Sequence, residues 1–144
     1  MLRRTLPIAG LLCLALASAA SGESRDAWTQ PGPQWAKLNV CAPVQVGVRA
    51  SLPGDGGGGD MAARFTLQWL NPETQAWEPV DGVATSHWID AGPADVNWTQ
   101  VGYTFDLDPI PAGVKHTFRG FAELKLAGGD AAALTTPSTC ALEG

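Results

Sequence analysis

Between Val114 and Leu126 the chain alternates without interruption. Val114, His116, Phe118, Gly120, Ala122, Leu124 and Leu126 take one side, and Lys115, Thr117, Arg119, Phe121, Glu123 and Lys125 take the other. Successive side chains of a strand point to opposite faces, whereas a helix would scatter this pattern around its circumference. The segment is therefore expected to be a long strand with one face on a core, which requires partner strands and a second layer to cover that face.

The rest of the chain supplies candidates for both. Val44, Val46, Val48 and Ala50 alternate with Gln45, Gly47, Arg49 and Ser51. Phe65, Leu67 and Trp69 share one face, opposite Arg64, Thr66 and Gln68. Asn71-Pro72-Glu73 marks a turn, and Trp77 to Val80 reads as the returning arm of a hairpin. Residues 84–90 are expected to form a short strand carrying His87 and Trp88, followed by a loop at Asp90-Ala91-Gly92-Pro93. Val101, Tyr103, Phe105 and Leu107 line one face of a further strand within 96–107. Gly128-Gly129-Asp130 turns the chain into a last strand, Ala131 to Cys140. No stretch offers an amphipathic helix. About seven short strands separated by turns imply an all-β antiparallel sandwich or barrel.

The N-terminus has a different character. Arg3 and Arg4 precede an apolar run from Leu6 to Ala17, and small residues follow to Gly22. That order is the one found in secretory signal peptides, and the run is too short to span a bilayer. Residues 1–20 are read as the signal, 21–36 as a polar leader broken by Pro31-Gly32-Pro33, and 37–144 as one domain. The expected location is outside the cell or on the outer side of its envelope, with no membrane insertion after processing.

Export simplifies the cysteines. Cys13 leaves with the signal, and Cys41 and Cys140 remain near the two ends of the domain. In an oxidising compartment a disulfide is preferred over two free thiols or a pair of metal ligands. The formal charge is −5 for the whole chain and becomes −7 once Arg3 and Arg4 are removed. An acidic domain with scattered basic residues is a poor partner for nucleic acid.

The corner Ile110-Pro111-Ala112-Gly113-Val114-Lys115-His116-Thr117-Phe118-Arg119-Gly120-Phe121-Ala122 resembles the immunoglobulin-like and fibronectin type III-like family. That family often sets an apolar-Pro-x-Gly corner before a tyrosine, followed by alternating apolar residues and an outward arginine. The arginine corresponds to Arg119, and the tyrosine position holds His116. Arg64-Phe65-Thr66-Leu67-Gln68, Trp77 and the corner strand, in that order between two cysteines, also resemble a group of small exported bacterial domains of this fold. The resemblance implies a sandwich of about seven strands and implies no activity.

Motifs for catalysis are missing. The chain has two histidines, His87 and His116, at no metal-ligand spacing, and no G-x-S-x-G surrounds a serine. The loop Gly54 to Asp60 is not followed by the Lys-Ser or Lys-Thr of a phosphate loop. Asp55 and Asp60, or Asp106 and Asp108 beside Asp90 or Asp95, are weaker candidates for calcium than for solvated loop carboxylates. No cofactor and no metal are expected. The one excess is six tryptophans. Trp69 and Trp77 fit the core, whereas Trp88 and Trp98 are candidates for an exposed surface that stacks against sugar rings. The expectation is an exported, non-catalytic domain with a binding, adhesion or structural role toward a protein or glycan partner. A carbohydrate-binding module using Trp88 and Trp98 is the alternative.

Overall fold

A computed structural model describes residues 34–82 and 85–144. It is an all-β sandwich. The strands are β1 (Trp35–Ala42), β2 (Gln45–Pro53), β3 (Asp60–Leu70), β4 (Trp77–Pro79), β5 (Ile89–Pro93), β6 (Trp98–Asp106), β7 (Lys115–Lys125), β8 (Ala131–Thr135) and β9 (Cys140–Glu143). One sheet has three strands in the order β1-β2-β6. The other has six, built on β4-β3-β7-β8, with β5 also pairing β3 and β9 also pairing β7. Every pairing is antiparallel.

The long alternation is the spine of the larger sheet. Phe118, Gly120, Ala122 and Leu124 of β7 are buried, and β3 sets Trp69, Leu67, Phe65 and Ala63 directly opposite them. From the facing sheet, Val46, Val48, Ala50 and Leu52 of β2 and Phe105 of β6 complete the core. Each fully buried valine, leucine or phenylalanine among them contributes about 1.5–3 kcal/mol of transfer free energy. The two-residue period of the sequence and the two-layer architecture are the same fact seen at two scales.

Cys41 of β1 and Cys140 of β9 form a disulfide with a Cα–Cα distance of 5.7 Å across a separation of 99 residues. Because β1 and β9 belong to different sheets, the bond ties the layers together.

Several sequence expectations need correction. The domain begins before Lys37: Trp35 and Ala36, placed in the leader, pair with Ser51 and Ala50 at the start of β1. Alanine is a weak strand former, and Pro33 so close by conceals the onset. Val44, placed on the inward face of a strand, lies in the β1–β2 turn and is 46% exposed. In the region of residues 84–90, Thr85 makes only an isolated bridge to Thr66, and the strand proper, β5, covers the Asp90 to Pro93 stretch read as loop. Gly92 allows this, since it takes a φ of 83° where the register against β3 shifts. The last expected strand divides into β8 and β9, both on β7, so nine strands stand among the described residues where about seven were expected. The glycine-rich stretch Gly54 to Asp60, expected to be a mobile loop, is held at its start by backbone bonds: Gly54 N donates to Asn97 O, and the Asp55 and Gly56 amides donate to Ala94 O. The expected signal peptide 1–20, and the leader as far as residue 33, lie outside the described residues.

Candidate functional site

The two sheets part at the end where β3 finishes and β7 begins. Here a cleft of about 470 Å³ opens between them. Trp69 and Phe118 stand opposite each other in the β3–β7 register and form its floor together with His116. The His116 ring lies 5.3 Å from Trp69, tilted by 53°, and 6.0 Å from Phe118 at 24°. Phe118 is buried, while Trp69 and His116 are half-buried. The position that would hold the corner tyrosine of the resembled family is therefore part of an aromatic wall.

The segment Leu107 to Pro111 forms the side of the cleft, and Val80 to Gly82 closes the opposite side. Prolines at 109 and 111 lock φ, so this side is stiff. The rim is acidic. Asp81, Asp106 and Asp108 all line it and all are exposed. Asp106 accepts a hydrogen bond from Gln45 Nε2 at 2.8 Å. Among the described residues no lysine or arginine lines the cleft. A cation entering it meets carboxylates at the mouth and the negative faces of aromatic rings within, whereas an anion is repelled.

The tryptophans singled out from the sequence lie elsewhere, in different parts of the fold. Trp98 opens β6 opposite Pro53 and is 47% exposed. Trp88 is half-buried beside the outer face of the larger sheet. The Lys125 ammonium sits 4.0 Å from its ring centroid, and the Arg64 guanidinium 4.9 Å. Arg64 is held by Glu123 in a two-pronged contact, Nε to Oε2 at 2.8 Å and Nη2 to Oε1 at 2.9 Å. That hydrogen bond raises the Arg64 pKa above its ordinary value, partly opposed by desolvation and reinforced by the Glu123 charge. Farther along the same face Arg119 lies 4.4 Å over Trp77 and donates to Gln68 Oε1. Two cations thus engage the Trp88 ring that a sugar would need.

His87 is exposed and meets Tyr103 edge-on at 6.1 Å, while its neighbour Ser86 is buried. Asp90 caps a tight turn by accepting from Gly92 N, and Asp55 does the same for Gly57 N. Asp106 and Asp108 gather with Asp81; the loop of Asp95 precedes β6 and they follow it. Among the described residues no group of three or more His, Cys, Asp or Glu is placed to hold a metal ion. None of the described helices is long and apolar enough to cross a membrane.

The cleft was only partly legible in advance. His116 and the proline corner stood out, but Asp81 lies far from them in sequence and only the β3–β4 hairpin brings it near.

No family model and no curated protein matches the chain. Among solved structures, the sporulation control protein Spo0M from Bacillus subtilis is similar at 17% identity and a TM-score of 0.40, over 76% of this chain and 50% of that one. A putative beta-galactosidase from Bacteroides fragilis is similar at 11% identity and a TM-score of 0.36, over 71% of this chain and 15% of that one. The chain thus spans half or less of each neighbour. Both likenesses are distant.

Proposed function

We propose that this protein is an exported, non-catalytic recognition domain that binds a basic side chain of a protein partner in the cleft between its sheets. The observation that carries this reading is the combination of an aromatic floor, Trp69, His116 and Phe118, with an acidic mouth, Asp81, Asp106 and Asp108. A lysine or arginine side chain has an apolar stem for such a floor and a charge for such a rim. The order β1-β2-β6 against β4-β3-β7-β8, with the proline corner leading into β7, supports an immunoglobulin-like or fibronectin type III-like frame. A cystine joining the sheets suits an oxidising compartment, and the N-terminal sequence suits export.

The carbohydrate-binding alternative has no comparable support, since Trp88 is covered by Arg64 and Lys125 and stands apart from Trp98.

Calorimetric titration of the exported chain with lysine- and arginine-containing peptides tests the proposal, with glutamate-containing peptides and neutral oligosaccharides as controls. Binding of the basic peptides alone, weakened by salt and reduced about tenfold in Asp81→Asn/Asp108→Asn, is expected; tenfold corresponds to about 1.4 kcal/mol. Equal binding of acidic and basic peptides, or binding indifferent to the aspartates, would sink it.

A further inference from the structure

A strand at the edge of a sheet leaves alternate backbone N–H and C=O groups without partners, and proteins blunt such edges with prolines, lysines, bulges or shortness. Most edges of this fold are blunted. On β1 the register shifts between Leu38 and Val40, and Lys37 projects from it. Strand β4 has three residues and ends in Pro79, and β5 has five, ends in Pro93 and carries a register shift. Strands β8 and β9 have five and four residues.

Strand β6 has none of these devices. Its nine residues, Trp-Thr-Gln-Val-Gly-Tyr-Thr-Phe-Asp, contain no proline, lysine or arginine. All nine pair with β2 without a shift, and among the described residues no other strand pairs with β6. The direction of its free groups follows from one bond. Leu107 N donates to Val44 O at 2.8 Å, which continues the β2–β6 register. In an antiparallel ladder, hydrogen-bonded and non-bonded pairs alternate. Odd-numbered residues of β6 therefore bond to β2, and Trp98, Gln100, Gly102, Thr104 and Asp106 direct their backbone groups to the open edge.

We infer that β6 is a self-association edge, along which a second copy of this chain pairs antiparallel about a two-fold axis at Gly102, joining the two small sheets into one. The strand is complementary to itself in this register. Gly102 meets Gly102 at the axis, so no side chains collide there. Gln100 faces Thr104 on the outer surface, and Val101 faces Tyr103 and Thr99 faces Phe105 on the inner one. Aromatic with β-branched is a favourable cross-strand combination. Asp106 is the one charged residue of β6, and this register sends the two copies of it to opposite ends, each across from Trp98. The acidic chain, with its formal charge of −5, thereby meets itself along a strand that carries a single charge. An arrangement about a two-fold axis closes at two copies and leaves no further edge of this kind open. The inference is independent of the cleft.

Sedimentation equilibrium of the exported chain across a hundredfold range of concentration tests it, beside two variants. Thr104→Pro removes an N–H that points to the open edge and spares the β2 ladder, a position where an edge strand tolerates proline. Gln100→Lys places an exposed charge in the new ladder without touching the core. A concentration-dependent dimer is expected for the unmodified chain, with at least a tenfold rise in the dissociation constant for each variant that keeps the parent's circular dichroism spectrum. If Thr104→Pro fails to fold, Gln100→Lys decides. A chain monomeric throughout, or a dimer unchanged in a folded variant, would overturn the inference.

Discussion

Gly120 of β7 lies so close to Val48 of β2 that a Cβ at position 120 would stand 2.7 Å from Val48 Cγ2. The missing side chain is what lets the sheets meet this closely there. The same Cβ would come within 2.9 Å of Thr136 Cγ2. Gly120→Ala is expected to destabilise the fold by about 1–3 kcal/mol through overpacking. Adding Val48→Ala should restore part of that loss, and thermal denaturation of the single and double variants measures the coupling.

Ser86 fastens the segment before β5 to the core. Its hydroxyl accepts from Phe65 N at 3.0 Å and donates to His87 O at 2.7 Å, and it is buried. Ser86→Ala leaves the Phe65 amide without that partner, at an expected cost of about 1–3 kcal/mol. Urea denaturation should show the lower midpoint, and amide exchange at Phe65 should quicken. An unchanged exchange rate would contradict this account.

The Cys41–Cys140 bond closes nearly the whole domain into one loop. Chain entropy for a loop of that length gives about 4.7 kcal/mol. Reduction, or Cys41→Ala/Cys140→Ala, is expected to lower the melting temperature by well over 10 °C, at roughly 4–8 °C per kcal/mol for a domain near this size. Alkylation without reductant should label neither cysteine.

Trp88 serves as a platform for two cations and is not a free stacking surface. In Arg64→Ala, Glu123 also loses its partner, so the Trp88 indole N–H resonance should move while that of Trp98 stays in place. The melting temperature should change little, as is usual for ion pairs this open to water. A Trp88 resonance indifferent to Arg64→Ala would remove the cation–π assignment.

The parts of the fold legible in the sequence were those with local periodicity. Strand β7 announced both its length and its inward face, and β3 the inward face of its second half, because a residue's side in a strand depends only on its parity. The Asn71 turn was equally plain, since its side chain accepts from the amides of Glu73 and Thr74. Strand β5 was missed because Asp90, Gly92 and Pro93 have turn propensity, and only pairing with β3 overrides it. Trp88 and Trp98 were grouped by residue type, which says nothing about whether two side chains share a surface.

By itself the sequence determined the all-β class, the inward faces of the long strands and the pairing of Cys41 with Cys140, because these rest on residue parity, turn chemistry and cysteine count. The tertiary structure alone decided which sheet each strand joins, that Asp81 comes to rest with Asp106 and Asp108 beside His116, and that β6 is left as the long unblunted edge. Those outcomes depend on contacts between residues distant in the chain, and such contacts leave no periodic trace in the segments that make them.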